Sequence, residues 1–260
     1  MKDVLISALT RAGKILLDAF NKPLDIRVKE SDNSIVTDAD IKSETLIIKL
    51  IKDNFPAHNI ISEEWGFTNN TSDYTWVIDP LDGTSNFASG LPWFGVMITI
   101  FNHNVPVMAG AYLPIPDELY FAEKGNGAFK NGKLFKMPAN AGLKKSLIAF
   151  SVDYTEDEIL FNRGIEFYKN IVKGSRNIRC TNSLLDFIYV LEGKFGACVN
   201  LYTKIWDISG LGLILSEAGG IMLDIEGKEI DFLITEGIIK RNFPVMGGPK
   251  EIIESLKLSK

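Results

Sequence analysis

Trp76-Val77-Ile78-Asp79-Pro80-Leu81-Asp82-Gly83-Thr84-Ser85-Asn86 is an apolar run that ends abruptly in two carboxylates, a glycine and two hydroxyl residues. A short run of β-formers closing on turn residues reads as a strand whose carboxyl end opens into a loop, where functional side chains gather. Pro80 fixes its own φ and Gly83 permits tight backbone, so Asp79 and Asp82 converge while the Leu81 carbonyl turns toward the same point. Carboxylates that close repel by several kcal/mol at an effective dielectric of about 20, so the site keeps a proton or recruits a cation. Oxygen-only donors suit Mg²⁺ or Mn²⁺ better than zinc. Read alone, Asp-Pro-x-Asp-Gly equally suits a plain surface turn.

Working outward, residues 75–130 hold the short runs TWVID, WFGVMITIF, VPVMAGAYL and ELYFAE, which predict consecutive strands in an antiparallel meander. Gly125-Asn126-Gly127 and Asn131-Gly132 are hairpin turns, because Asn-Gly accepts positive φ without strain. Upstream, Val4, Leu5, Ala8, Ala12, Ile15, Leu16 and Ala19 form the apolar stripe of a helix over residues 2–20, stopped by Pro23. After a turn at Ser31-Asp32-Asn33-Ser34, Thr37 and Asp40 form a capping box for a second helix with the stripe Ile41, Leu46, Ile47 and Leu50.

Beyond residue 145 strands and helices alternate: SLIAFSV, a helix near 156–173, a strand near 177–180, a helix near 183–192, GACVNL, a helix near 206–217, GIMLD and a closing helix from about 249. The expectation is an α+β fold in one domain over 1–260. Its halves, about 1–140 and 141–260, share one core across a seam at 131–145.

The 260 residues are 46% hydrophobic and 23% charged, the composition of a globular protein with a sizeable core. A formal charge of −5 argues against nucleic acid as a general partner. No apolar run spans a bilayer and Asp3, Arg11, Lys14 and Asp18 interrupt the N-terminal pattern, so the expectation is a cytoplasmic chain without membrane contact. Cys180 and Cys198 have no metal-ligand spacing and read as buried small residues.

Two further acidic signals stand out: Ser62-Glu63-Glu64 after a short apolar run, and Trp206-Asp207 at a helix opening. Asp207 suits a helix cap on its own account, and a helix N-terminus disfavours a cation unless a phosphate shares the site.

With these motifs assembled, the chain resembles the inositol monophosphatase family of metal-dependent, lithium-sensitive phosphatases. The resemblance rests on Val36-Thr37-x-x-Asp40, Ser62-Glu63-Glu64, the Trp76 to Phe87 block, and Trp206-Asp207 followed by Ser216-Glu217-Ala218-Gly219-Gly220. It implies a layered αβαβα sandwich of the inositol monophosphatase and fructose-1,6-bisphosphatase type, a homodimer, and two or three Mg²⁺ per site with Mn²⁺ as a substitute. By the same resemblance Glu63, Asp79 and the Leu81 carbonyl hold one ion, and Asp79, Asp82 and Asp207 a second. Gly83 and Thr84 cradle the phosphate. Glu63, Thr84 and Asp40 surround the attacking water, and Lys29 belongs to a loop closing over the metals. Substrate contacts fall to Asp82, Gly83, Thr84, Asn200 and Asp207. His58 and His103 lie outside every motif and take no catalytic role.

The substrate end departs from the family pattern. Asn200 stands where many members have a glutamate that reads sugar hydroxyls, and Cys180-Thr181-Asn182-Ser183 replaces a run of smaller residues. The implied activity is hydrolysis of a small phosphate monoester on a polyol, sugar or nucleotide, inositol 1-phosphate first. Fructose-1,6-bisphosphatase and 3′-phosphoadenosine-5′-phosphate phosphatase are alternatives, with Arg163, Lys173, Arg176 and Arg179 as candidates for a second phosphate. A regulatory protein binding the transcription machinery is the reading from another class.

Overall fold

Helix α1 (Lys2–Ala19) forms where the apolar spacing predicts it, with Leu5, Ala8, Leu9, Ala12 and Leu16 buried along one stripe. The computed structural model describes residues 1–29, 34–151, 155 and 157–256, so the expected turn over Ser31-Asp32-Asn33 lies outside the described residues. A small hairpin of β1 (Ile26–Val28) and β2 (Ile35–Thr37) leads into α2 (Asp38–Asn54). Thr37 caps that helix: its hydroxyl accepts from the Ala39 amide at 3.2 Å, and the Asp40 carboxylate accepts from the Thr37 amide at 2.8 Å.

The stripe predicted for α2 is partly wrong. Ile41 is exposed, and the inward face is Ala39, Asp40, Ser43, Glu44, Ile47, Ile48 and Ile51. An apolar-only pattern misses this face because its first turns carry polar groups that serve the site.

The meander follows: β3 (Asn59–Ser62), β4 (Gly66–Thr68), β5 (Tyr74–Asp82), the short helix α3 (Thr84–Ala88), β6 (Gly95–Asn102), β7 (Val105–Leu113), β8 (Glu118–Glu123), β9 (Gly127–Lys130) and β10 (Lys133–Phe135). They form one sheet in the order β10-β9-β8-β7-β6-β5-β3-β4, with every pair antiparallel except β3 beside β5. Asn131 and Gly132, both at positive φ (49° and 74°), close the last hairpin as expected.

The second sheet is built from β11 (Leu147–Ser151), β12 (Asn177–Arg179), β13 (Ala197–Asn200), β14 (Ile221–Asp224) and β15 (Val245–Gly248), ordered β12-β11-β13-β15-β14. Its helices are α4 (Glu158–Gly174), α5 (Leu185–Leu191), α6 (Ile205–Glu217) and α7 (Lys250–Leu256). Strand β15 has no clear sequence signal, because two of the four residues in Val-Met-Gly-Gly are glycines, which are depleted in strands. The glycines are there for space: a Cβ on Gly248 would sit 2.8 Å from the Gly196 carbonyl oxygen.

Three packed layers of side chains give the αβαβα order. One joins α1 and α2 to the larger sheet through Ile47, Trp76, Ile78 and Val96. The next buries Val77, Met97, Phe187 and Ile214 between the two sheets, around α5 and α6. The third covers the outer face of the smaller sheet with α4 and α7 through Phe167, Ile171 and Ile253. Neighbouring residues of β5 thus enter different layers, which is why its sequence is continuously apolar instead of alternating. Of the remaining expectations, Cys198 is buried but Cys180 is exposed. His58 stacks between Phe55 and Tyr74 and accepts from the Trp76 indole at 3.0 Å, a packing role.

Leu9 is fully buried between α1 and the sheet. Leu9→Ala is expected to cost about 2–5 kcal/mol in urea unfolding. Its KM for any substrate should remain unchanged, because α1 lines no part of the site.

Candidate active site

The carboxyl end of β5 is bent by a bulge, with Asp79 opposite Met97 and Asp82 opposite Gly95, three steps on one strand against two on the next. The extra residue turns both aspartates to the same side. Gly83 follows at φ 82°, where a Cβ would meet the Trp93 carbonyl oxygen at 2.4 Å, so this position requires glycine. Among the described residues the amides of Gly83 and Thr84 donate to no protein acceptor. The parallel register of Ser62 with Ile78 sets Glu63 beside Asp79. Asp207 arrives from the first turn of α6, and its carboxylate accepts from the Lys204 amide at 2.6 Å.

These residues line one cavity of about 160 Å³: Glu63, Asp79, Leu81, Asp82, Gly83, Thr84, Asn200 and Asp207, together with Asn182, Ser183, Asp186, Tyr202 and Thr203. One oxygen from each of Asp79, Asp82 and Asp207 lies within 4.8 Å of the others. Asp79 accepts from the Leu81 amide at 3.1 Å and Asp82 from the Leu184 amide at 2.5 Å, so backbone dipoles fix both. Lys29 reaches Glu63 at 2.7 Å and also bonds Glu64, which brings the loop lysine to the cluster. Asp40 stands behind the cavity wall, with Oδ1 3.1 Å from the Thr84 hydroxyl and Oδ2 taken by Thr37.

Burial raises every carboxyl of the cluster, and the neighbours add to it. Glu63 and Asp82 are each pushed up to about 7, Glu63 despite the ammonium of Lys29 and Asp82 despite the Leu184 amide. Asp79 and Asp207 are held well above the usual carboxylate range by burial and by facing the other acids. Such a set takes up protons or cations. Its donors are all oxygens, the chemistry of a hard divalent ion, and Leu81, whose carbonyl accepts from the Thr84 hydroxyl at 2.9 Å, lines the same cavity.

The second-phosphate candidates do not enter this cavity. Arg163, on α4, pairs with Glu226 at 3.7 Å, and none of Arg163, Lys173, Arg176 and Arg179 lines it.

Sequence reasoning missed three supporting groups. Ser43 donates to the Pro80 carbonyl at 2.7 Å, bracing the bulge from α2. Glu44 accepts from the Glu64 and Trp65 amides at 3.1 and 3.0 Å and from the Ser62 hydroxyl, which orders the turn that carries Glu63. Asp186 accepts from the amides of Thr181 and Asn182, each at 3.1 Å, holding the segment before α5. The i+3 and i+4 spacing of Ser43 and Glu44 from Asp40 was the available signal.

A family model described as the inositol monophosphatase family matches residues 1–255. Inositol monophosphatase 1 of Solanum lycopersicum is 32% identical over 262 residues, covering 98% of this chain and 94% of its own. A protein of Aquifex aeolicus named fructose-1,6-bisphosphatase/inositol-1-monophosphatase is 34% identical, over 83% of this chain and 82% of its own. The crystal structure of the extragenic suppressor protein suhB from Bartonella henselae superposes with a TM-score of 0.87 at 28% identity, covering 98% of this chain and 96% of that one. Among the described residues no helix is long and apolar enough to cross a membrane.

A carboxyl with a raised folded-state pKa binds its proton more tightly folded than unfolded. The stability it contributes is therefore complete below its ordinary value and lost as pH rises toward about 7 for Asp82. In metal-free protein at pH 7.5, Asp82→Asn is expected to be more stable than wild type by about 2 kcal/mol, an advantage that shrinks toward pH 4. Thermal unfolding at both pH values checks the sign, and added Mg²⁺ should stabilise the wild type more than the variant.

Proposed function

Because this chain belongs to the inositol monophosphatase family, we propose that it is a Mg²⁺-dependent phosphoric monoester hydrolase acting on a small phosphorylated polyol, inositol 1-phosphate before others. The observation that carries the reading is the set of Asp79, Asp82 and Asp207 oxygens within 4.8 Å of one another, beside the unengaged amides of Gly83 and Thr84. Acids gather a pair of divalent ions; amides at the start of α3 receive the phosphate.

In this reading Glu63, Asp79 and the Leu81 carbonyl would hold one Mg²⁺, and Asp79, Asp82 and Asp207 would hold a second. When bound, the ions neutralise the phosphate dianion, lower the pKa of a water and stabilise the leaving alkoxide. Thr84 Oγ1 lies 2.9 Å from the Leu81 oxygen and 3.1 Å from Asp40 Oδ1, so its single proton goes to one of these acceptors. Its lone pairs then accept from the attacking water, while Glu63 is the neighbouring base. Asp40, whose other oxygen is committed to Thr37, positions Thr84. Lys29 supplies positive charge over Glu63. Lithium sensitivity and homodimerisation accompany this reading through the family resemblance.

The rest of the cavity favours one phosphate. Beyond the acids its polar lining is Asn182, Ser183, Asn200, Tyr202 and Thr203, with no lysine or arginine among the described lining residues. A second phosphate would face carboxylates. Asn200 Oδ1 accepts from the Tyr202 amide at 3.1 Å, which leaves its Nδ2 to donate to a substrate hydroxyl.

Phosphate release from inositol 1-phosphate, glycerol 2-phosphate, fructose 1,6-bisphosphate and 3′-phosphoadenosine 5′-phosphate, with and without Mg²⁺, tests the proposal. Mg²⁺-dependent preference for the polyol monoesters is expected, and preference for a bisphosphate would move the assignment. Asp82→Asn should lower kcat roughly 100-fold or more with the fold intact. Near-normal turnover of that variant at saturating Mg²⁺ would sink the metal assignment.

A further inference from the structure

A second cavity, of about 200 Å³, lies at the other end of the elements that build the first. Its walls are the loop Pro138–Ala141, Leu147 at the start of β11, Val190 in the last turn of α5, and the segment from Gly193 to Gly196 that leads into β13. The catalytic cavity takes Asn200 from the carboxyl end of β13 and Asp186 from the first turn of α5. The two hollows therefore sit at opposite ends of β13 and α5 and share no lining residue.

Their charge is opposite as well. The first is lined by five carboxylates and no cation, the second by Lys145, Arg176 and Lys194 and no carboxylate. Lys194 pairs with Glu192 at 2.5 Å. Among the described residues, no carboxylate pairs with Lys145 or Arg176, and no protein acceptor takes their side-chain donors. The backbone amides of Ala139, Asn140 and Ala141, in the wall beside them, also lack a protein acceptor, whereas the Gly142 amide is satisfied by Asn140 Oδ1 at 2.9 Å. In a chain of net charge −5, a hollow whose exposed lining carries Lys145 and Arg176 without a carboxylate partner, Lys194 shared with Glu192, and backbone N–H groups open to solvent attracts an anion. The forked guanidinium of Arg176 and the point charges of the lysines match a tetrahedral oxyanion.

We propose that the cavity walled by Lys145, Arg176 and Lys194 is a binding site for a small phosphate-bearing solute, separate from the catalytic cavity. The proposal does not depend on the phosphatase reading, because it concerns other residues and is tested without turnover.

The probe is inorganic phosphate, titrated calorimetrically into full-length protein stripped of divalent ions on a chelating resin. In that form the catalytic cavity presents carboxylates and repels phosphate, so heat of binding reports the second cavity. Saturable one-site binding is expected. Lys145→Glu with Arg176→Glu should weaken it roughly tenfold or more, and the neutral pair Lys145→Gln with Arg176→Gln should weaken it less. All these variants should keep wild-type melting temperatures without phosphate and wild-type Mg²⁺-dependent activity, whatever substrate that activity uses. Asp82→Asn should bind phosphate as wild type does. Absence of saturable binding by the wild type, or equal affinity in the double Glu variant, overturns the proposal.

Discussion

Mutual repulsion among buried acids is the constraint that this molecule is organised to withstand. Oxygens of Asp79, Asp82 and Asp207 within 4.8 Å of one another, each ionised, oppose folding by about 3 kcal/mol per pair at an effective dielectric of about 20. The chain answers with fixed dipoles: the amides of Leu81, Leu184 and Lys204 each donate to one of the three carboxylates. The fourth acid, Glu63, has the ammonium of Lys29. Those donors come from β5, from the segment before α5 and from the start of α6, so the cluster ties the larger sheet to the layer between the sheets. A site assembled in this way is intact only while those layers remain packed.

Helix α2 is the second support, and its sequence shows what burial of polar groups achieves. Asp40, Ser43 and Glu44 share its inward face with Ala39 and Ile47. Each polar member reaches a different piece of the site: Asp40 the Thr84 hydroxyl, Ser43 the Pro80 carbonyl, Glu44 the turn carrying Glu63. Burying a carboxylate costs free energy, and three donors on one oxygen of Glu44 offset part of that cost, although burial still holds its carboxyl above the usual range. The helix thereby sets the relative positions of the β3 and β5 ends, which β-pairing alone leaves free beyond their last paired residues.

Much of this was legible in the sequence. The meander from β5 to β8 follows from short β-rich runs, Asn131-Gly132 marks the last turn while β9 and β10 beside it carry no run of their own, and α1 follows from a clean 3.6-residue stripe. The site residues were legible as well, because Asp-Pro-x-Asp-Gly is local chemistry and the motif order pointed to its distant partners. What escaped was set by tertiary context. The inward face of α2 is partly polar, so a search for apolar spacing chose Ile41. Strand β15 exists because its glycines admit close neighbours, which no propensity scale rewards. Asp186 lies inside the apolar run Leu184 to Leu191, and its role appears only once the Thr181 and Asn182 amides are seen to fold over it. The parallel pairing of β3 with β5, which places Glu63, arises because the chain first runs through β4 on the outer side of β3 and only then returns as β5, an order the short runs do not reveal.

The placing of Asp207 shows how a catalytic coordinate is set by packing far from the chemistry. Helix α6 is apolar nearly all round because both sheets close on it, with Ile205, Ile208, Leu211, Ile214 and Leu215 buried. Gly210 lets its backbone approach β6 so closely that an added Cβ would lie 2.7 Å from the Thr99 hydroxyl oxygen. A hydrogen bond secures the contact, as the Ser209 hydroxyl donates to that same oxygen at 3.1 Å. Asp207 lies three residues before Gly210, on the same rigid turn, so the depth at which α6 seats on β6 is also the depth at which its carboxylate enters the cluster. Asp79 and Asp82 take their positions from the bulge in β5, the strand paired with β6. The distance between acids distant in sequence is thus a packing distance between one helix and one sheet, held by a glycine and two hydroxyls that never touch a ligand.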